Sequence, residues 1–235
     1  MVRMGALLLE GGAEFGGSMS VPDLQAIQLA GGPDAPIAIL PTAAAPDNNH
    51  ERAGRNGLRW FRSLGASRVE VVPVIDRASA NDPLLADRLR AARLIYLLGG
   101  FPKYLGETLK SSLAWSAALE AYKDGAVIAG SSAGAMVLCE HYYDPQEGEV
   151  VQGLDLLPNA CVLPHHNNFG RKWSAALTLK LPQAHLIGID EQTGMLRDES
   201  GIWTVYGSAK VTLYKGGETK VHGRGETFRI DPDQP

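Results

Sequence analysis

Two cysteines in 235 residues, Cys139 and Cys161, exclude a disulfide-stapled scaffold and show no metal-ligand spacing. One bridge could form, but nothing in the pattern asks for it, so reduced thiols in a cytoplasmic protein are the expectation. The chain has no apolar run long enough to cross a bilayer. Its N-terminal apolar run, residues 6–9, is too short for a signal peptide. An excess of positive charge is also missing. Lys and Arg number 22 against 26 Asp and Glu, a net charge of −4. With no basic run and no basic-aromatic alternation, neither a nucleic-acid partner nor an anionic membrane surface is expected. Repeats, linkers and low-complexity segments are absent, so residues 1–235 read as one domain.

Two motifs fail on inspection. The glycine-rich segment Gly11-Gly12-Ala13-Glu14-Phe15-Gly16-Gly17 cannot hold a G-x-G-x-x-G fingerprint, and no P-loop lysine follows it. It reads as a tight turn or as a loop shaping a site. His141-Tyr142-Tyr143-Asp144 offers too few ligands for a metal. No metal or cofactor is therefore expected.

What is present is an alternation of short apolar runs with helical spacings. Strands are predicted at residues 6–9, 36–41, 69–74, 94–98 and 125–129. Helices are predicted at 23–29, 50–64, 83–92, within 104–122, and at 133–140. Strands alternating with helices imply a parallel sheet covered on both faces. The last third changes character. Residues 144–157 read as a loop or hairpin, and 160–164 and 186–190 as apolar runs. Residues 205–214 alternate and lead to a Gly216-Gly217 hairpin turn, with 221–230 as the partner strand. That end is expected to be an antiparallel sheet edge.

The most informative segment is Gly130-Ser131-Ser132-Ala133-Gly134, which fits G-x-S-x-G between a predicted strand and a predicted helix. In that context the central serine projects from a sharp turn at a helix N-terminus, where developing negative charge is favoured. The plain alternative is a small-residue turn with Ser132 as N-cap. A serine nucleophile needs a base, usually His held by a carboxylate. Of six histidines, His165 and His166 stand where an apolar run emerges into a polar loop. Either could be the base. The acid candidates are Asp190 and Glu191, just past an apolar run, with Asp124, Glu140, Asp144 and Asp198 as competitors. Backbone N–H groups of Ala133 and of the Gly99-Gly100 turn are candidate oxyanion donors. Cys139, in the helix predicted after the turn, reads as a buried inert thiol.

Taken together these segments resemble peptidase family S51, which includes the aspartyl dipeptidases (peptidase E) and the cyanophycinases. The resemblance runs through Leu97-Leu98-Gly99-Gly100 with Leu105 and Thr108-Leu109, then Ala129 to Ala135 around the serine. It continues through Gly153-Leu154-Asp155-Leu156-Leu157-Pro158 and Gly188-Ile189-Asp190-Glu191-Gln192-Thr193. It implies an α/β, flavodoxin-like or class I glutamine-amidotransferase-like three-layer sandwich, mainly parallel, with an antiparallel C-terminal edge. It further implies a homodimer and a triad of Ser132, His165 and Glu191, with Asp144 as the alternative acid. Gly100 and Ala133 would be the oxyanion donors. Arg171, Phe101, His166 and Asn167 are the expected substrate contacts. The implied activity is hydrolysis of short peptides through an acyl-enzyme, with Asp favoured at P1.

Departures from the family pattern bear on specificity. Phe101-Pro102 stands where cyanophycinases have Asp-Gln. His166 stands where the family has Phe. Phe169 replaces one of two arginines of the His loop, leaving Arg171. Two rivals remain open. One is a serine esterase of α/β-hydrolase type, although there the His lies near the C-terminus, whereas here it follows Ser132 by roughly 30 residues. The other is a non-catalytic ligand-binding protein on the same fold.

Overall fold

The computed structural model describes residues 5–230. Five parallel strands form the centre: β1 (Leu7–Glu10), β2 (Ile37–Leu40), β3 (Val69–Val71), β4 (Leu94–Leu97) and β5 (Val127–Ser131). Between them run α1 (Ser20–Leu29), α2 (His50–Ser63), α3 (Pro83–Arg90), α4 (Pro102–Leu109) and α5 (Leu113–Lys123). The third strand stops at Val71, short of the predicted 74, because Pro73 has no N–H to donate to a ladder. Two helices occupy residues 102–123. The second is capped by Ser112, whose hydroxyl accepts from Trp115 N at 3.0 Å.

Side chains alternate across this sheet and explain its two covered faces. Leu8, Ile37, Ile39, Tyr96 and Ala129 pack against Ile27 of α1 and Phe61 of α2. Leu7, Leu9, Leu40, Ile95, Leu97 and Ile128 pack on the other face, against Leu89 of α3 and Tyr122 of α5. All are buried, and each large apolar side chain contributes about 1.5–3 kcal/mol relative to exposure.

After β5 the chain differs from the sequence expectation. The helix predicted at 133–140 is only α6 (Ala133–Val137), and β6 (Cys139–Asp144) follows immediately. The aromatic pair Tyr142-Tyr143 suits a pleated surface better than a helix. Cys139 is therefore a strand residue, not a helical one. Both thiols are buried and free, and burial pushes Cys161 up to about 12. Within the segment 144–157, read as a loop or hairpin, β7 (Glu149–Gln152) pairs back on β6 in a hairpin and the remainder is loop up to the next strand. Next come β8 (Leu157–Leu163), α7 (Ser174–Lys180), β9 (His185–Ile189), β10 (Thr193–Arg197) and β11 (Trp203–Gly207). β12 (Val211–Lys215), β13 (Glu218–His222) and β14 (Thr227–Phe228) complete the order.

These strands divide between two sheets. β10, β11 and β14 extend the main sheet antiparallel from β1, giving the order β14-β11-β10-β1-β5-β4-β2-β3. The rest form a second, mixed sheet, β13-β12-β9-β8-β6-β7, in which β6, β8 and β9 are parallel. Residues 205–214 are thus two strands in different sheets, separated at Gly207, rather than one alternating strand. The Gly216-Gly217 turn is present, with φ of +57° and +83°, and joins β12 to β13. Among the described residues no helix is long and apolar enough to cross a membrane.

Behind β1 lies a buried acid pair. Glu10 accepts from Tyr96 Oη, and Asp23 accepts from Trp60 Nε1 at 2.7 Å. Glu10 Oε1 and Asp23 Oδ1 find no donor among the described residues. Burial pushes Glu10 well above the carboxylate range and Asp23 up to about 7. Two carboxyls so placed cannot both ionise cheaply, and the folded state holds protons the unfolded chain releases. This contribution is present at low pH and is lost as pH rises through about 7. Asp23→Asn keeps an acceptor for Trp60, so it is expected to flatten the fall in melting temperature between about pH 4 and 7. An unchanged slope would contradict the assignment.

Candidate active site

β5 lies between β1 and β4, with Leu9 and Leu97 both in register with Gly130. The chain then turns at Ser132, whose φ of +50° and ψ of −113° are strained for a residue with a side chain. Ser132 N donates to Glu10 O at 3.0 Å, which fixes the turn to β1. The turn is tight. A Cβ on Gly130 would stand 2.5 Å from the Gly134 carbonyl carbon, so the closing glycine and the opening one nearly touch.

The Ser132 hydroxyl lies 2.9 Å from His165 Nε2, and His165 Nδ1 lies 2.7 Å from Glu191 Oε1. A carboxylate can only accept, so Nδ1 carries the proton and Nε2 is left free to accept from the serine. Glu191 is held below the usual carboxylate range, chiefly by its hydrogen bond with His165. It therefore stays ionised at neutral pH. Its contribution to stability is present above the ordinary carboxylate pKa and lost as pH falls through its lowered value.

His165 follows β8 and is gripped from several sides. Its N donates to Gly11 O at 2.7 Å, and its carbonyl accepts from Asn168, Phe169 and Gly170. The Phe169 ring stacks on the imidazole with centroids 4.9 Å apart and planes at 22°. Opposite lies Gly12, with φ +108°. A Cβ there would stand 2.6 Å from Nε2 and closer still to Cε1. The glycine-rich loop that carries no fingerprint thus has a specific task, which is to leave room for the histidine ring. Gln192 holds that loop in place. Its amide donates to Ala13 O at 2.8 Å, and its carbonyl accepts from Ser18 N.

Of the competing acids, none meets His165. Asp190 bonds His166 Nδ1 at 3.3 Å and Lys210 N at 3.2 Å. Asp144 is buried at the end of β6, where it accepts from Gln146 N. Glu140 accepts from Asn159 N, and Asp198 caps its own turn through Ser200 and Ile202. Asp124 ends α5, before β5 begins.

The other sequence candidates fall on either side of expectation. His166 faces away from Ser132. It is buried, with Nε2 on the Tyr214 hydroxyl at 2.9 Å, and burial lowers its pKa. Its ring turns toward β9 and β12, filling space that Gly188 leaves open. Asn167 likewise spends its side-chain oxygen on Glu191 N, at 2.9 Å, and so holds the acid's backbone. Arg171 is exposed on the short turn Gly170–Trp173. Phe101 caps α4 and donates its N–H to Ala43 O. The amides of Gly100 and Ala133 have no acceptor among the described residues. A Cβ on Gly99 would lie 3.3 Å from Ser132 Cβ, so this turn rests against the serine.

The sequence model of peptidase family S51 matches residues 7–205. The chain belongs to peptidase family S51. That membership supports a serine peptidase. The chain is 29% identical over 200 residues to the cyanophycinase of Synechococcus elongatus, an alignment covering 79% of this chain and 60% of that protein. It is 27% identical over 214 residues to the cyanophycinase of Geminocystis herdmanii (strain PCC 6308), covering 86% and 78%. The chain thus spans only about 60% of the length of the first of these relatives. Among solved structures, a peptidase from an acI-B1 Actinobacterium superposes with a TM-score of 0.88 at 32% identity, covering 97% of this chain and 98% of that one. A protein described as a peptidase E of Listeria monocytogenes EGD-e gives 0.60 at 20% identity, covering 97% and 100%, and shares the fold. Ser132, His165 and Glu191 all lie within the matched residues.

Proposed function

We propose that this S51 member is a serine peptidase that hydrolyses short peptides through Ser132, His165 and Glu191. One observation carries the reading: the continuous bonds Ser132–His165–Glu191 on a strained turn at the end of β5. His165 Nε2 takes the hydroxyl proton as Ser132 Oγ attacks the peptide carbonyl carbon. Glu191 keeps the imidazole in the required tautomer and offsets the charge it acquires. The Gly100 and Ala133 N–H groups, which have no acceptor among the described residues, receive the oxyanion. His165 then passes its proton to the leaving amine, and an acyl-enzyme remains. Water, deprotonated by the same nitrogen, releases the acyl group.

The specificity in this reading is for short peptides, with Asp at P1 and Arg171 as its selector. Mass spectrometry of a mixed short-peptide pool tests both parts. Cleavage by the wild type and not by Ser132→Ala, with cuts after Asp, is the expected result. Cleavage that survives Ser132→Ala would overturn the mechanism, and cuts that ignore Asp would overturn the P1 assignment.

Glu191→Gln gives a sharper check on the acid. A glutamine amide can donate to Nδ1, which places the proton on Nε2 and removes the base. A loss of about 10³–10⁴-fold in kcat is expected, with little change in melting temperature. Turnover within about tenfold of wild type would move the acid elsewhere.

A further inference from the structure

A cleft of about 810 Å³ opens beside the serine turn, within the size range of ligand sites. Gly99 and Gly100 form its near end, and Glu14, Phe15, Leu98 and Phe101 line it there. Its long wall is one face of α2. Asn49, Arg52, Asn56, Arg59 and Ser63 recur every three or four residues, so they form a single polar stripe along the cleft. The opposite face of α2 is spent on packing, with Gly54, Gly57 and Phe61 buried.

Several arginines of the surface are committed to carboxylates, and the two on this stripe are not. Arg55 pairs with Glu51, Arg88 with Glu70 and Arg90 with Glu120. Among the described residues Arg52 bonds only the neutral Asn49 Oδ1, at 2.8 Å, and Arg59 only Asn56 Oδ1, at 2.6 Å. Asp47 shares the rim and pairs with neither. Each guanidinium is thus held by an amide through one nitrogen, with its remaining donors unspent. A planar fork oriented in this way matches a carboxylate. The near end has the opposite sign. Glu14 accepts from Ser131 Oγ at 3.0 Å, and its other oxygen lies 3.2 Å from where a Cβ on Gly99 would stand. An anionic group is repelled from the serine end and drawn toward α2.

We propose that Arg52 and Arg59 form a carboxylate-binding site of the substrate cleft, which holds an acidic group of the peptide while its scissile carbonyl lies at Ser132. This rests on the peptidase reading for the identity of the ligand. The carboxylate can be a side chain or a C-terminus, and the probes separate the two. Full-length Ser132→Ala protein is titrated calorimetrically with tetra-alanine ending in a free carboxylate or an amide. A second series of amidated peptides carries Asp, or Asn as control, at each position in turn. The site predicts that at least one carboxylate-bearing probe binds about tenfold or more tightly than its neutral twin. The added changes Arg52→Gln and Arg59→Gln abolish that preference, and both side chains are exposed, so circular dichroism should show an unchanged fold. A preference for the C-terminal acid assigns the C-terminus, and a preference for Asp over Asn assigns a side chain.

Equal binding of acidic and neutral probes, or a preference that survives both arginine changes, overturns the site. If the preference is seen and lost as described while the wild type cleaves no peptide, the site stands and the peptidase reading falls. Ser132-dependent cleavage with binding indifferent to the arginines gives the reverse.

Discussion

Ser132→Ala is expected to lower kcat by roughly 10⁶-fold on any peptide the wild type cleaves, with the fold intact. The hydroxyl's recorded partner is His165 Nε2, so its removal costs no packing. Alanine also meets the same φ of +50° that serine already tolerates. The members of a triad act as one unit, because a base without a nucleophile has nothing to activate. The double variant Ser132→Ala with His165→Ala should therefore be no worse than the single one. Steady-state kinetics on the best substrate from the peptide pool provide the measurement. Additive losses would mean that His165 works through another group.

Gly12→Ala should also lower kcat strongly, although Gly12 bears no functional group. Two costs are combined there. Alanine at φ +108° is strained, by about 1–2 kcal/mol. Its Cβ would also occupy the space of the His165 ring, at 2.6 Å from Nε2. The ring cannot retreat freely, because Phe169 stacks on its other side and Glu191 holds Nδ1. Displacing a base by about 1 Å costs about 100-fold in rate, so a loss of at least that size is expected. Gly31 separates the two costs. Its φ is +114°, and nothing lies within 4 Å of a Cβ built there. Gly31→Ala should lower stability by a similar amount and leave kcat unchanged. Equal loss of activity in both variants would attribute the effect to general destabilisation.

The helices and parallel strands up to β5 were legible because their apolar periodicity is strong and Gly, Pro and Ser punctuate it. The serine turn was legible for the same reason, since G-x-S-x-G works only between a strand and a helix. Beyond Ser132 the local signal weakens. β10 escaped notice because Thr193–Arg197 has a glycine at its second position and no alternation. The division of residues 205–214 between two sheets depends on long-range pairing with β10 and β9, which no local pattern records.

Within the site, adjacent residues proved hardest to tell apart. His165 and His166 differ in direction, one facing Ser132 and the other buried on Tyr214. Glu191 and Asp190 differ in the same way, each serving a different histidine. Both pairs lie in turns, after β8 and after β9, and His165 has a φ of +47°, so turn geometry rather than strand alternation separates the neighbours. The family pattern pointed to His165 and Glu191, and these two side chains lie within hydrogen-bond distance of each other, with His165 also reaching Ser132. His166 bonds Asp190 and Tyr214, and Asn167 engages its amide oxygen with Glu191 N, partners that no local pattern announced. The role of Gly12 had a sequence signal in its glycine-rich loop, yet no motif named the histidine it makes room for.

The most direct test of the account is covalent labelling. The wild type is incubated with a serine-directed fluorophosphonate, and adducts are mapped by mass spectrometry beside His165→Ala. The activated triad predicts one adduct on Ser132 that is lost, or slowed by orders of magnitude, without His165. No adduct on Ser132, or one that forms equally fast in His165→Ala, would contradict it.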